Sequence, residues 1–306
     1  MQIPIPICII MGPTGSGKTT LAHQIAKNTN AEIISADSMA IYRQMNIGTA
    51  KPTKEEQEEV PYHLINIREP WETYNTGNFV QDTAQYIQEI RQRHRPVILV
   101  GGTVLYIKRL LEGICDSPSA NWTLREQLSQ QPMEELYLQL QKIDPLAAKN
   151  ISSQDQRRII RALEVYYDTG IPITQWQRER TTAPAQYQAI YIGIQHERQE
   201  LYRRIETRID RMMEQGLIEE TKHLLSLPYP LSHTAEQAIG YKETIAALQN
   251  NSLFATLADD IKCHTRQFAK RQLTWLRRFS IHWLKPNAHN YQEAIKIWLD
   301  NIFLLK

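Results

Sequence analysis

MGPTGSGKTTLA, residues 11–22, follows the apolar run IPIPICII and leads into a helix-forming segment. Within it Gly12, Gly17, Lys18 and Thr19 satisfy G-x-x-x-x-G-K-[ST] without a gap, in the strand–loop–helix context that gives the pattern its meaning. Glycine lets backbone N–H groups turn inward on phosphate oxygens, and the helix N-terminus adds partial positive charge. Lys18 then bridges the anion, and the Thr19 hydroxyl is a ligand for a hard cation; Pro13, Thr14, Gly15 and Ser16 complete the loop. Where the phosphates go is a separate matter, because a kinase, an NTP-driven motor and an enzyme that discards a diphosphate can all use such a loop.

Outward from the loop, short β-branched runs alternate with amphipathic helices. ICIIM (7–11), a helix from about Lys18, AEIISAD (31–37), a helix near 80–94 and PVILVGG (96–102) predict βαβ units and a parallel sheet. From Cys115 to Tyr187 the strand signal disappears, and LREQLSQ, MEELYLQLQKI and DQRRIIRALEVYYDTG predict short helices, the last stopped by Gly170. AIYIGI (189–194) restores a strand before the closing helices. The expected fold is α/β: a P-loop NTPase-like parallel sheet core flanked by helices, with a mainly α-helical insertion domain. The boundaries fall at 1–114 for the first part of the core, 115–187 for the insertion and 188–306 for the return to the core.

At 306 residues, 42% hydrophobic and 22% charged, the chain can bury a substantial core. Its 35 basic and 33 acidic side chains nearly cancel, so a nucleic-acid partner must be met by local basic patches and not by a global field. Cys8, Cys115 and Cys263 are odd in number and widely spaced, which argues against disulfides or a zinc ribbon. The apolar start lacks a basic leader and runs straight into the loop, and no apolar run is long enough to span a membrane, so a cytoplasmic protein with no membrane partner is expected. The monomer is the default assembly.

A kinase-like site would carry a metal-binding carboxylate at the end of a second strand, yet PVILVGGT ends in Gly101, Gly102 and Thr103. The carboxylate is in SADSMAIYRQMNIGTAKP, where Asp37 ends the neighbouring strand at the ligand-binding edge. Asp37 is therefore a candidate base or metal ligand; a turn or helix-capping aspartate is the plainer alternative.

The blocks GPTGSGKT, SADSMAIYRQMNIGTAKP, PYHLINI, ILVGGTVLYIKRLLEG, DQRRIIRALEVY, IGYKE and TRQFAKRQLTWLRR together resemble, in order, those of the bacterial tRNA dimethylallyltransferase family over roughly residues 7–284. Gly15 is a departure, since many relatives carry alanine there; the exchange is expected to be benign. The resemblance implies transfer of a dimethylallyl group from dimethylallyl diphosphate to N6 of the adenosine 3′ to the anticodon, with Mg²⁺. The loop would then hold a leaving group, with Asp37 as base and Thr103 at the junction of adenine and diphosphate. By the same alignment Arg208 meets the diphosphate. The tRNA would be met by Asp37, Ser38, Met39 and Ala40, by Thr103 and Arg125, by Arg157, Arg158, Ile159, Ile160 and Arg161, and by Ala238, Ile239, Gly240, Tyr241 and Lys242. No H-x-H or H-E-x-x-H pattern competes, so the ion is expected to be oxygen-ligated Mg²⁺, with Thr19 its one assigned protein ligand.

Adenine inside a stacked anticodon stem-loop cannot reach such a pocket, so the base must be extruded while cations hold the flanking phosphates. Arg157 with Arg161, Arg204 with Arg208 and Arg211, and Arg266 with Lys270 form stripes at helical spacing, and the segment 261–278 has no acid. Each stripe could equally be a solvated helix face. Trp176, Trp275 and Trp283 are expected in core or interface packing. Two other enzyme classes share the loop: an adenylate isopentenyltransferase acting on free AMP, ADP or ATP, and a small-molecule kinase. A nucleotide-regulated RNA-binding module would leave Asp37 and Thr103 without a purpose.

Overall fold

The computed structural model describes residues 5–115, 118–181, 187–250, 254–286 and 289–303. It divides into two compact units, one formed by Met1–Leu111 with Gln186–Lys306 and the other by Glu112–Ala185.

The first unit is built on a six-stranded, wholly parallel sheet: β1 (Ile5–Met11), β2 (Glu32–Ser35), β3 (Tyr62–His63), β4 (Val97–Gly101), β5 (Tyr187–Ile194) and β6 (His282–Leu284), in the order β3-β2-β4-β1-β5-β6. Both faces are covered, as parallel sheets require, so the central strands read as continuous apolar runs. Along β1 the side chains alternate between two cores: Ile7, Ile9 and Met11 pack with Ile34, Leu99, Phe79 and Ile205, while Cys8 and Ile10 pack with Leu21, Ile25 and Trp298. Burial pushes the Cys8 thiol strongly up, so it is an inert core residue.

Flanking this sheet are α1 (Lys18–Thr29), α2 (Lys54–Glu59), α3 (Thr76–Gln92) and α4 (Val104–Glu112), with α5–α9 belonging to the second unit. The closing series is α10 (Arg198–Glu214), α11 (Leu217–Leu225), α12 (His233–Glu236), α13 (Tyr241–Gln249), α14 (Leu257–Leu276) and α15 (Asn290–Phe303). Asn75 starts α3 with a reciprocal capping box to Asn78, four residues before the expected start. The strand expected over 31–37 ends at Ser35, leaving Asp37 in the loop beyond it. Pairing of Met11 with Gly101 and of Ser35 with Val100 brings the loops after β1, β2 and β4 to one edge of the sheet. At the opposite edge Glu32 is buried among Arg93, Arg95 and His63, at 2.7 Å from Arg93 and His63. Burial pushes its carboxyl up, but those hydrogen bonds prevail and hold it down at about 2.

The second unit packs α5 (Trp122–Ser129), α6 (Met133–Ile143), α7 (Pro145–Asn150), α8 (Gln156–Thr169) and α9 (Ile173–Arg180) around Leu128, Leu136, Leu140, Ile159 and Leu163. Gly170 ends α8 at φ 73°, the left-handed stop expected from the sequence. Among the described residues no helix is long and apolar enough to cross a membrane.

Candidate active site

The loop between β1 and α1 forms the floor of a cavity of about 490 Å³, within the range of small-molecule clefts. Its wall is α10, whose Arg203, Arg204, Arg208 and Arg211 all line it, so this basic stripe faces a pocket and is not merely a solvated helix face. Arg204 donates through Nε to the Gly15 carbonyl at 2.9 Å, and His196 Nε2 meets the Ser16 carbonyl at 2.9 Å. Gly15 itself has φ +79°, and a Cβ there would stand 2.9 Å from Ile205 Cγ1. In this chain the glycine answers both a left-handed backbone and a close helix.

Lys18 donates to the Pro13 carbonyl at 3.3 Å. Burial lowers its ammonium to about 8, with the Asp37 charge opposing that shift and Arg208 adding to it. Arg208 is likewise disfavoured as a cation by burial and supported by Asp37, and its one hydrogen bond among the described residues goes to the Thr49 carbonyl at 3.3 Å. Two cations partly withdrawn from water beside the loop and the N-terminus of α1 make a site that an anion would relieve. Ile47, Ala50 and Met212 give the same cavity an apolar side.

The corner carrying Asp37 is held by the end of β4. Thr103 N–H donates to the Ala36 carbonyl at 3.2 Å, and Thr103 Oγ1 accepts from Ser38 N–H at 3.1 Å. The backbones come so close that a Cβ on Gly101 would lie 2.1 Å from the Ala36 oxygen, so glycine at this strand end is a packing requirement. Asp37 Oδ1 accepts from Met39 N–H at 2.8 Å, the turn role, while Oδ2 has no hydrogen bond among the described residues. The turn aspartate and the available carboxylate oxygen are therefore the same residue.

Two pocket-shaping residues escape sequence reasoning. Glu220, on α11, accepts from the N–H groups of Asn46 and Ile47 at 3.0 Å and of Gly48 at 3.4 Å, and from the Tyr241 hydroxyl at 2.6 Å. Lys51 donates to the Tyr42 carbonyl and to the side-chain oxygens of Asn46 and Asn66, which uses its three protons to fold the 46–51 loop over the cavity. The motif NIGTAKP carried the only signal for Lys51; Glu220 had none.

The remaining expected contacts divide by exposure. Arg157, Arg158, Lys242 and Lys270 are exposed. Ile159, Ile160, Ala40, Ala238 and Tyr241 are buried, and Ser38, Met39 and Ile239 are half-buried. Arg125 and Arg161 both grip Glu164, which is 0% exposed; the Arg125 fork is bidentate at 2.8 and 2.9 Å, and Arg161 also reaches the Pro118 carbonyl. Burial pushes Glu164 up, but the two arginines win and hold it below the usual carboxylate range. Arg266 pairs with Glu206 at 2.6 Å. Trp275 and Trp283 are exposed, not in the core, and Arg278 lies over the Trp275 ring at 4.3 Å.

The IPP transferase family profile matches residues 40–279. The chain is 42% identical over 282 residues to tRNA dimethylallyltransferase 1 of Citrifermentans bemidjiense, covering 92% of each, and 45% identical over 278 residues to the tRNA dimethylallyltransferase of Carboxydothermus hydrogenoformans, covering 89% of each. Among solved structures, it is similar to the full-length tRNA isopentenylpyrophosphate transferase of Bacillus halodurans, at 36% identity and TM-score 0.70 over 98% of this chain and 96% of that one. A eukaryotic dimethylallyltransferase acting on tRNA superposes with TM-score 0.81 at 27% identity, over 98% of this chain and 79% of that one.

Proposed function

The chain belongs to the IPP transferase family, and on that premise we propose how its residues carry the family's reaction. Its activity is tRNA dimethylallylation: a dimethylallyl group passes from dimethylallyl diphosphate to N6 of adenosine 37, and diphosphate is released. The observation that carries our residue-level reading is the pair of cations, Lys18 and Arg208, that line a P-loop cavity with an apolar side and both feel the Asp37 charge.

The diphosphate rests against the loop amides, Lys18 and Arg208, with the five-carbon tail toward Ile47 and Met212. An allylic carbon ionises readily because its positive charge is delocalised, so these groups act chiefly by stabilising the departing oxyanion. The N6 amine attacks C1, the C1–O bond breaks, and the alkylated amine, now strongly acidic, gives its proton to Asp37 Oδ2. Thr103 holds the Asp37 corner and presents its hydroxyl where adenine and diphosphate meet. Mg²⁺ suits this site: Thr19 Oγ1 has no hydrogen bond among the described residues and lines the cavity, and no cluster of three acidic, histidine or cysteine ligands competes among those residues. An ion held by one hydroxyl, water and substrate phosphates is the usual magnesium arrangement, and it would neutralise leaving-group charge.

For the tRNA, the exposed arginines of α8, the exposed Lys270 of α14 and Lys242 grip phosphates, while Arg125 and Arg161 hold the helical unit together. The 115–187 insertion thus serves as a tRNA-binding domain, and the enzyme works in the cytoplasm where its tRNA is. Each lost phosphate contact flattens the slope of log K against log salt by about 0.7–0.9. Arg158→Ala and Lys270→Ala are therefore expected to raise the KM for tRNA and flatten that slope, with the KM for dimethylallyl diphosphate unchanged. Arg161→Ala is expected instead to lower stability by about 1–3 kcal/mol, because it removes charged hydrogen bonds from a buried carboxylate. Filter binding across a salt series with thermal denaturation checks both; an unchanged slope in Arg158→Ala and Lys270→Ala would leave the stripes as solvated faces.

A further inference from the structure

Gln272 is a polar side chain buried to 6% exposure on the inner face of α14, and no phosphate-binding motif includes it. Its Oε1 accepts from Thr14 N–H at 2.9 Å and its Nε2 donates to the Gly102 carbonyl at 3.0 Å. Only one orientation of the amide satisfies both neighbours, since a flip would set donor against donor and acceptor against acceptor. The fit is close: a Cβ on Gly102 would stand 2.3 Å from Nε2. The two groups it joins are not otherwise equivalent. Thr14 follows Pro13, whose carbonyl accepts from Lys18 at 3.3 Å and from Ser16 N–H at 3.2 Å. Gly102 precedes Thr103, which holds Ala36 and Ser38 on either side of Asp37.

We infer that Gln272 is a positioning residue for the transfer reaction: through one side-chain amide it sets the loop that places Lys18 and the strand corner that places Thr103 and Asp37. This rests on the proposed assignment of that loop to the diphosphate and of that corner to the adenine. Substrate does not touch Gln272; it acts through the Thr14 amide and the Gly102 carbonyl. Because those two groups lie on different loops after different strands, removing the amide frees both halves of the site at once while leaving the exposed, RNA-facing residues of α14 in place.

The test compares wild type, Gln272→Met, which keeps the volume and removes both hydrogen bonds, and Leu276→Val, a buried change one turn along the same helix whose side chain has no hydrogen bond to either loop to lose. Binding of inorganic diphosphate with Mg²⁺ is measured by titration calorimetry, steady-state constants are measured for dimethylallyl diphosphate and tRNA, and thermal midpoints are recorded. Gln272→Met is expected to weaken diphosphate binding about tenfold, the effect of roughly one buried hydrogen bond, and to lower kcat at least as much, with the KM for tRNA within about twofold of wild type. Leu276→Val is expected to lower the thermal midpoint with diphosphate affinity unchanged. Wild-type diphosphate affinity and kcat in Gln272→Met would overturn the inference, as would a loss that Leu276→Val reproduces at equal destabilisation. If wild-type protein failed to prenylate tRNA, the functional reading would fall, while the diphosphate titration would still decide the role of Gln272.

Discussion

Asp37→Asn is expected to lower kcat by about 10²–10⁴ while tRNA affinity stays within a few fold, the size of effect associated with losing a positioned general base. The substitution is nearly isosteric, and Asn keeps a side-chain oxygen that can accept from Met39 N–H, so the turn at 37–39 is preserved. What disappears is the oxygen with no partner in the described structure, together with the negative charge felt by Lys18 and Arg208. An amide cannot take the proton that the alkylated N6 must lose. Removing the charge also leaves two half-buried cations without their nearby anion, which should tighten diphosphate if anything. The measured signature is therefore a fall in single-turnover rate with unchanged or stronger diphosphate binding; near wild-type single-turnover rates would exclude Asp37 as the base.

Lys18→Ala is expected to reduce kcat/KM for dimethylallyl diphosphate by about 10²–10³, the loss typical of removing one preorganised donor to a developing oxyanion. The ammonium is held against the loop by the Pro13 carbonyl and cannot be replaced by water of equal charge. Its titration gives an independent check. Burial lowers Lys18 to about 8, so the free enzyme carries the charge below that pH and loses it above. The wild-type kcat/KM should accordingly fall as pH rises through about 8, and Lys18→Ala should lack that limb. A pH profile of identical shape in the two proteins would remove Lys18 from the account.

The parts of this arrangement that could be read from sequence are those with local signatures. The β-branched runs of β1, β2, β4 and β5 are long enough to show a strand pattern, and the phosphate loop carries its own spacing. The two residues of β3 and the three of β6 are too short to show any period, and they exist because a neighbouring strand offers them a ladder. The roles of Gln272 and Glu220 were hidden for a different reason: each is an ordinary polar residue on a helix, and the loop backbone groups it binds lie 170 or more residues away. Arg125 and Arg161 are placed at the tRNA by alignment, and Arg161 by its spacing from Arg157 as well; that both also grip a buried carboxylate, Glu164, is visible only in the packing. The α10 stripe was equally consistent with a solvated face, and only the fold shows that the helix walls the cavity.

The most direct measurement incubates the protein and Mg²⁺ with radiolabelled dimethylallyl diphosphate and, in separate reactions, unmodified tRNA, AMP and ATP, then follows the label and the released diphosphate. The account predicts label only in tRNA, on N6 of the adenosine 3′ to the anticodon, with one diphosphate released per group transferred and no ATP consumed. Label entering AMP or ATP in preference to tRNA, or ATP hydrolysis stimulated by tRNA, would contradict it.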